Sequence, residues 1–192
     1  HPFNDDYNWA VVDAVYYRNA SLDDAPIFHN FLMTSLDLRS SPEKANTLLE
    51  IIGYSLSDYT VAKKGFFFIG EPSSGKSKIL EFLQKLIGDE SVSQIALPMI
   101  GSRFSLGQLQ GKRLNICTEL PSNKFPSVDV FKALTSGDRV YGELKGKDGF
   151  SYYPKVKLLN AGNSVPFPTN TDGTSSIIDR MVFLMFKHTI PR

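Results

Sequence analysis

The pattern of apolar and polar residues divides the chain near residue 64. Before that point, apolar residues recur at helical spacing and predict two amphipathic helices. The first contains Phe28, Phe31, Leu32 and Leu36, and the second contains Ala45, Leu48, Leu49 and Ile52. Ser41, Pro42 and Glu43 have the residue types of a helix start, and Gly53 is typical of a helix end. We therefore expect residues 1–64 to form a small helical segment.

After residue 64, short apolar strands alternate with amphipathic helices. The predicted strands are 66–69, 113–118, 155–161 and 181–186, and the predicted helices are 79–87, 106–109 and 127–136. Two more strands within 139–153 flank a Gly-rich turn and predict a hairpin, and 162–176 is predicted to be a loop. Strands separated by helices are typical of an α/β fold with a largely parallel sheet. The sequence therefore predicts a second unit, residues 65–192, built on this sheet.

Composition favours a folded protein without disulfides. Hydrophobic residues make up 42% of the 192 positions and aromatic residues 12%, which is enough to build a core. The formal net charge of +1 neither requires nor excludes nucleic acid, because a local basic patch matters more than the total. Cys117 is the single cysteine, and no stretch approaches the roughly 20 apolar residues that span a membrane. We expect a reducing, cytoplasmic location and no membrane partner. Because the chain starts at His1 without an initiator Met, we also expect a piece of a longer polypeptide.

The segment from Gly70 to Ser77 matches the pattern Gly-x4-Gly-Lys-Ser of a phosphate-binding loop, or P-loop. Its glycines let backbone N–H groups point at phosphate oxygens, at the start of a helix whose dipole favours anions. The Lys76 ammonium would contact the β- and γ-phosphates, and the Ser77 hydroxyl would hold Mg²⁺. An ordinary strand–turn–helix connection is the alternative, but the flanking buried strand and amphipathic helix are the context that the motif requires. The predicted site for ATP and Mg²⁺ comprises Gly70, Glu71, Pro72, Ser73, Ser74, Gly75, Lys76, Ser77 and Lys78.

Two later strands end in polar residues that are candidates to act on the γ-phosphate. Glu119 follows the strand 113–118, where a carboxylate can polarise a water molecule against the γ-phosphate. A solvated surface charge is the alternative for this residue. Asn163 follows the strand 155–161, where its amide could hold the attacking water. A turn-forming asparagine is the alternative there.

The order of these features resembles that of the superfamily 3 helicases, specifically the phage, plasmid and poxvirus primase-helicase type. A P-loop is followed by an acid-terminated strand, a helix, a basic hairpin, an Asn-terminated strand and Asp179-Arg180 before the last strand. The resemblance extends from about residue 46 to residue 183. Its strongest segments are 109–114 (LQGKRL), 131–138 (FKALTSGD) and 157–166 (KLLNAGNSVP). Each segment is modestly specific alone, and their joint order and spacing are the stronger signal.

This resemblance implies an ATP-driven motor with an AAA+-like core that assembles as a ring, usually of six subunits, around nucleic acid. It implies that Lys76 and Ser77 occupy the Walker A positions, that Glu119 is the Walker B acid and that Asn163 is the sensor asparagine. Arg180 matches the arginine that a neighbouring subunit inserts toward the γ-phosphate, where a cation stabilises the departing phosphoryl group. Without the family, a surface ion pair is the favoured interpretation of Arg180.

The chain departs from the family pattern at two positions. Thr118 stands where many Walker B strands carry a second acid, so Mg²⁺ would depend on Ser77, water and Glu119. Asp179-Arg180 stands where the family often has two arginines, which leaves one candidate for the arginine inserted in trans.

The predicted hairpin carries Lys145 and Lys147 near its tip, with aromatic residues close behind. Flexible cations beside aromatic faces suit a sequence-tolerant grip on a single nucleic-acid strand. A solvated turn whose lysines protect a strand edge is the alternative. In the resembled family a hairpin in this interval projects into the central channel, which makes these two lysines the expected DNA contacts.

The function expected from the sequence is the ATP-hydrolysing core of a ring helicase that unwinds DNA during phage or mobile-element replication. Its expected partners are single-stranded DNA or a replication fork and further copies of itself, in the cytoplasm of a bacterial host. Two other functions stay open. One is a small-molecule kinase on a P-loop scaffold, which would need a substrate pocket and a lid. The other is a nucleotide-dependent assembly module that hydrolyses ATP slowly and does not unwind DNA.

Overall fold

The computed structural model describes residues 17–120, 125–166 and 174–187. The helices are α1 (Pro26–Ser35), α2 (Glu43–Leu56), α3 (Lys76–Ile87), α4 (Ser105–Gln108), α5 (Val128–Ser136) and α6 (Thr174–Ile178). The strands are β1 (Gly65–Gly70), β2 (Val92–Ser93), β3 (Leu114–Cys117), β4 (Val140–Gly142), β5 (Phe150–Tyr152), β6 (Lys157–Gly162) and β7 (Met181–Phe186). None of the helices within these ranges is both long and apolar enough to cross a membrane.

Five strands form the central sheet, in the order β2-β3-β6-β1-β7, and every neighbouring pair is parallel. β1 is therefore flanked by β6 and β7, with Phe67 opposite Asn160 on one side and Phe183 on the other. β4 and β5 pair antiparallel as a separate hairpin. The predicted α/β fold with a largely parallel sheet is confirmed. Because the strands are parallel, all their carboxyl ends lie along one edge of the sheet.

Each face of the sheet is covered by its own apolar cluster. β1 divides its side chains between them: Phe66 and Phe68 belong to one cluster, and Phe67 and Ile69 belong to the other. This alternation follows from the two-residue period of a strand. The first cluster includes buried residues of α1, α2 and α3, and the second includes buried residues of α5 and α6. Near-continuous apolar sequence in β1 thus reflects a strand that is buried on both faces.

The N-terminal helices pack directly on the sheet. Leu32 and Leu48 are fully buried in the same cluster as Phe68. Two cations hold the carboxyl end of α2. Arg113, which precedes β3, donates to the Leu56 carbonyl at 2.9 Å, and Lys157, the first residue of β6, donates to the Ser57 carbonyl at 2.6 Å. Both contacts place positive charge at the negative end of the helix dipole.

Three sequence expectations about element bounds were wrong. α2 continues through Gly53 to Leu56, because Tyr54 and Leu56 beyond the glycine still pack against the core. The cap of α2 is Pro42 rather than Ser41, and no side chain caps its first turn. The loop expected to run to residue 176 ends earlier, because α6 begins at residue 174. The edge strand β2 is also absent from the prediction, since two residues are too short for a periodic signal.

Candidate nucleotide-binding site

The P-loop connects β1 to α3 as the motif requires. Gly75 is the residue that caps α3 and has a φ of 97°, a left-handed conformation that side chains with a Cβ rarely adopt. Ser73 is also left-handed, with a φ of 60°. These turns bring the loop back over the amino end of a 12-residue helix, where unpaired N–H groups and the helix dipole favour an anion. The loop geometry fits a phosphate group.

Lys76 is buried, and its ammonium group is directed back into the loop. Its Nζ donates to the carbonyl oxygens of Gly70 at 2.6 Å and Glu71 at 2.7 Å, and to Ser74 Oγ at 3.1 Å. Burial lowers the pKa of Lys76 from its ordinary value, and the charge of Glu71 partly offsets that effect. A phosphate oxygen would replace loop carbonyls as the partner of this ammonium group.

Helix α1 supports the loop from outside the motif. A Cβ on Gly75 would lie 2.8 Å from both the Phe31 ring and Ser35 Oγ, so the loop backbone is pressed against α1. Ser35 is completely buried, and its Oγ has no hydrogen-bond partner among the described residues. Sequence reasoning missed both residues as part of the site, because helical periodicity identifies a buried face but not the loop that it touches.

Glu119 and Asn163 lie at the same edge of the sheet as the P-loop. Glu119 follows the carboxyl end of β3, Asn163 follows β6, and both residues are exposed. β6 lies between β1 and β3, so Asn163 comes from the strand that separates the P-loop from Glu119. The segments are also joined directly, because the Leu120 N–H donates to the Ala161 carbonyl at 2.9 Å. The structure therefore gathers three of the four predicted catalytic residues at one edge.

Arg180 lies at the opposite edge. It precedes Met181, which pairs with Gly65 at the amino end of β1, whereas the P-loop starts at the carboxyl end of that strand. Its guanidinium contacts the last turn of α5: Nη1 donates to Ser136 Oγ at 2.6 Å, to Thr135 Oγ1 at 3.2 Å and to the Lys132 carbonyl at 3.3 Å. Arg180 is thus not brought to the P-loop of its own chain. The two hydroxyl residues that hold it lie in the family-like segment 131–138, but nothing in the sequence pairs them with Arg180.

The hairpin that carries the candidate DNA contacts is anchored at its base and exposed at its tip. Lys145 and Lys147 are both exposed. The hairpin packs on α4 at two points. A Cβ on Gly107 would lie 2.2 Å from the carbonyl oxygen of Glu143, which follows β4, and the Tyr152 hydroxyl at the base donates to the Leu106 carbonyl. Burial of that hydroxyl raises the pKa of Tyr152 to about 12.

No group of three or more His, Cys, Asp or Glu side chains within the described ranges is placed to hold a metal ion. A nucleotide-bound Mg²⁺ needs fewer protein ligands, because phosphate oxygens and water complete its coordination. The predicted donors for such an ion are the Ser77 hydroxyl at the start of α3 and the Glu119 carboxylate. Both side chains are exposed, on segments that follow β1 and β3.

One protein family matches the part of the chain that carries most of the candidate site residues. The model of DUF5906, a family of unknown function, matches residues 68–180 of the chain. The chain belongs to the DUF5906 family. The DUF5906 match extends from within β1 to Arg180, so it contains the P-loop, Glu119, Asn163 and the hairpin. No curated protein matches the chain.

Solved structures share the fold at low sequence identity. The C-terminal region of NrS-1 superposes with a TM-score of 0.61 and 16% identity, covering 86% of this chain and 38% of the other. The JCV helicase superposes with a TM-score of 0.58 and 17% identity, covering 88% of this chain and 46% of the other. The DUF5906 chain therefore has a fold that is also found in a helicase, and it spans less than half of either neighbour.

Proposed function

We propose that this chain is the ATP-hydrolysing core of a superfamily 3 ring helicase that moves on single-stranded DNA. The observation that carries the proposal is the gathering of Lys76, Glu119 and Asn163 at the carboxyl edge of one parallel sheet. The P-loop supplies the phosphate contacts. Glu119 follows β3, on the far side of β6 from the P-loop, and Asn163 follows β6 itself. The fold shared with the JCV helicase supports the same conclusion.

Each of these residues then has a distinct task. The loop N–H groups and Lys76 bind and orient the phosphates of ATP, with the ammonium group exchanging loop carbonyls for phosphate oxygens. Ser77 and Glu119 would hold Mg²⁺, which would supply positive charge to neutralise the phosphates. Glu119 also takes the proton of the attacking water, and Asn163 orients that water. Lys145 and Lys147 contact the phosphates of the DNA strand.

The arginine and the assembly belong to the same proposal. Arg180 lies at the edge opposite its own P-loop, which suits an arginine that acts on the nucleotide of a neighbouring subunit. Repeating that contact around a closed ring, proposed here to contain six subunits, completes every site. By the resemblance to superfamily 3, the setting is the replication of phage or mobile-element DNA in a bacterial cytoplasm. Residues 1–64 and 65–192 are proposed as its helical segment and its ATPase core.

The test is ATP hydrolysis measured against protein concentration, with and without single-stranded DNA. We expect turnover per subunit to rise with concentration and again with DNA. Lys76→Ala should abolish it, and Lys85→Ala is the matched control, because Lys85 is an exposed lysine on the same helix paired only with Glu81 among the described ion pairs. Turnover that is independent of concentration and DNA would contradict the helicase and favour the kinase or the assembly module.

A further inference from the structure

The hairpin has one buried face and one exposed face. β4 alternates between buried Val140, exposed Tyr141 and buried Gly142, and β5 pairs Ser151 with Tyr141 across the hairpin. Tyr152 is directed inward, where its hydroxyl is bonded to the Leu106 carbonyl of α4. Tyr141 therefore lies on the outer face of the hairpin, on the strand that leads to the lysine-bearing tip.

The Tyr141 side chain lies against Gly149, the residue that precedes β5. A Cβ on Gly149 would lie 1.8 Å from the Tyr141 Oη and 2.3 Å from the ring carbon that carries it. Only glycine allows this approach. The hydroxyl end of the ring thus lies close to the Gly149 backbone, and 58% of the residue stays exposed. A tyrosine held in this way loses little further freedom when a second flat group packs on it.

We propose that Tyr141 is a stacking platform for a base of single-stranded nucleic acid. This inference rests on the proposed function, and it adds a base contact that the tip lysines do not supply. Lys145 and Lys147 are exposed a few residues along the same hairpin, so a strand whose phosphates meet these cations has its bases within the reach of the ring. Aromatic stacking is tolerant of sequence, because every base has a flat face.

The experiment measures the affinity of the full chain for oligo-dT and for a strand of the same length with abasic sites. Tyr141→Leu should weaken binding to oligo-dT by about 5- to 150-fold, the range expected for loss of one stacked base. Tyr141→Phe should retain wild-type affinity, because the ring and not the hydroxyl makes the contact. Tyr59→Leu is the matched control: Tyr59 is 70% exposed but lies in the loop after α2.

The abasic strand distinguishes two causes of weaker binding by Tyr141→Leu, the loss of base stacking and a displacement of the hairpin. We expect wild type and Tyr141→Leu to bind it equally, since it offers no base to stack; a displaced hairpin would weaken binding of both strands. The slope of log affinity against log salt should be unchanged in Tyr141→Leu and smaller by about 0.7 in Lys147→Ala. Equal oligo-dT affinity of wild type and Tyr141→Leu overturns the platform alone. Failure of the wild type to bind either strand overturns the proposed function and the platform together.

Discussion

At the scale of single residues, two buried lysines illustrate different uses of the same side chain. Lys76 is bonded to carbonyls of its own loop, which a phosphate can replace. Lys157 donates to the carbonyl of Ser57, at the carboxyl end of α2, and to the carbonyl of Lys155. Its Nζ lies 5.1 Å from the Tyr54 ring centroid. In the proposed mechanism no ligand replaces these carbonyls as the partner of Lys157. Its role is therefore to join α2 to the sheet.

Lys157 should make the free energy of unfolding depend on pH in the alkaline range. Burial lowers its pKa from 10.5 to about 8, with Asp58 opposing the shift and the nearby cations adding to it. Between these two values the unfolded chain binds more protons than the folded chain, so this residue makes the free energy of unfolding rise with pH. We expect Lys157→Met to remove a rise of up to about 1.4 kcal/mol per pH unit between pH 8 and pH 10.

Urea unfolding of both proteins at half-unit steps of pH measures this difference. The comparison stays below pH 10, because the raised pKa of Tyr152 acts with the opposite sign above that value. Parallel stability curves for wild type and Lys157→Met would show that Lys157 titrates normally and contradict this account.

At the scale of elements, apolar periodicity predicts the strands and helices that bury long runs of side chains. The strand β1 and the helix α3 are examples, since four consecutive apolar residues and a repeat at helical spacing are strong local signals. Contacts between distant elements leave no such signal. The support of Gly75 by Phe31, and the contact of Arg180 with Ser136, join residues more than 40 positions apart in the chain. The sequence therefore identifies the loop of the site but not the helices that hold it.

The docking of the hairpin on α4 should depend on Gly107. A methyl group there would lie 2.2 Å from the Glu143 carbonyl oxygen, and a backbone atom cannot move aside as a side chain can. We expect Gly107→Ala to displace the hairpin, destabilise the chain by about 1–3 kcal/mol and weaken DNA binding. ADP affinity should be retained, because the loop between β1 and α3 is not touched. Urea unfolding together with DNA and ADP titrations measures the three effects, and unchanged stability would rule out tight docking.

Gly53 provides a matched substitution with the opposite expected sign. It lies inside α2 and is exposed, and apart from its neighbours and the helix backbone no atom lies within 4 Å of the position that a Cβ would take. Gly53→Ala should therefore stabilise the chain by about 0.5–1 kcal/mol, because alanine loses less backbone freedom in a helix. A higher urea midpoint with unchanged DNA affinity is the expected result, and a lower midpoint would mean that α2 is distorted at this residue.

At the scale of the whole molecule, the candidate site is divided between the two edges of the sheet. Lys76, Glu119 and Asn163 follow carboxyl ends of strands, and Arg180 precedes the amino end of β7. The contact of Arg180 with α5 adds a link to the hairpin, because only residues 137–139 separate α5 from β4. Arg180 is therefore linked to the hairpin, the proposed DNA contact, through one short connection.

Mixing two inactive variants should restore hydrolysis if Arg180 acts in trans. Lys76→Ala leaves the arginine intact and Arg180→Ala leaves the loop intact, so a mixed assembly contains some interfaces with both groups. We expect each variant alone to be inactive and the mixture to hydrolyse ATP. The control is the double variant mixed with Lys76→Ala, which offers no intact loop. A mixture no more active than its separate components would place Arg180 outside the catalytic interface.

If Arg180 acts on the loop of a neighbour, each subunit has two unlike ends, and this has a consequence for stoichiometry. In an open row, the loop at one end lacks a neighbour and the arginine at the other end lacks a loop. A dimer then has one complete nucleotide site, with both loop and arginine, for two chains. In longer open rows the number of complete sites per chain approaches one without reaching it. Closing the row adds the last centre without adding a subunit. Counting tightly bound transition-state analogue per chain would therefore distinguish a closed assembly from an open one without any image of either.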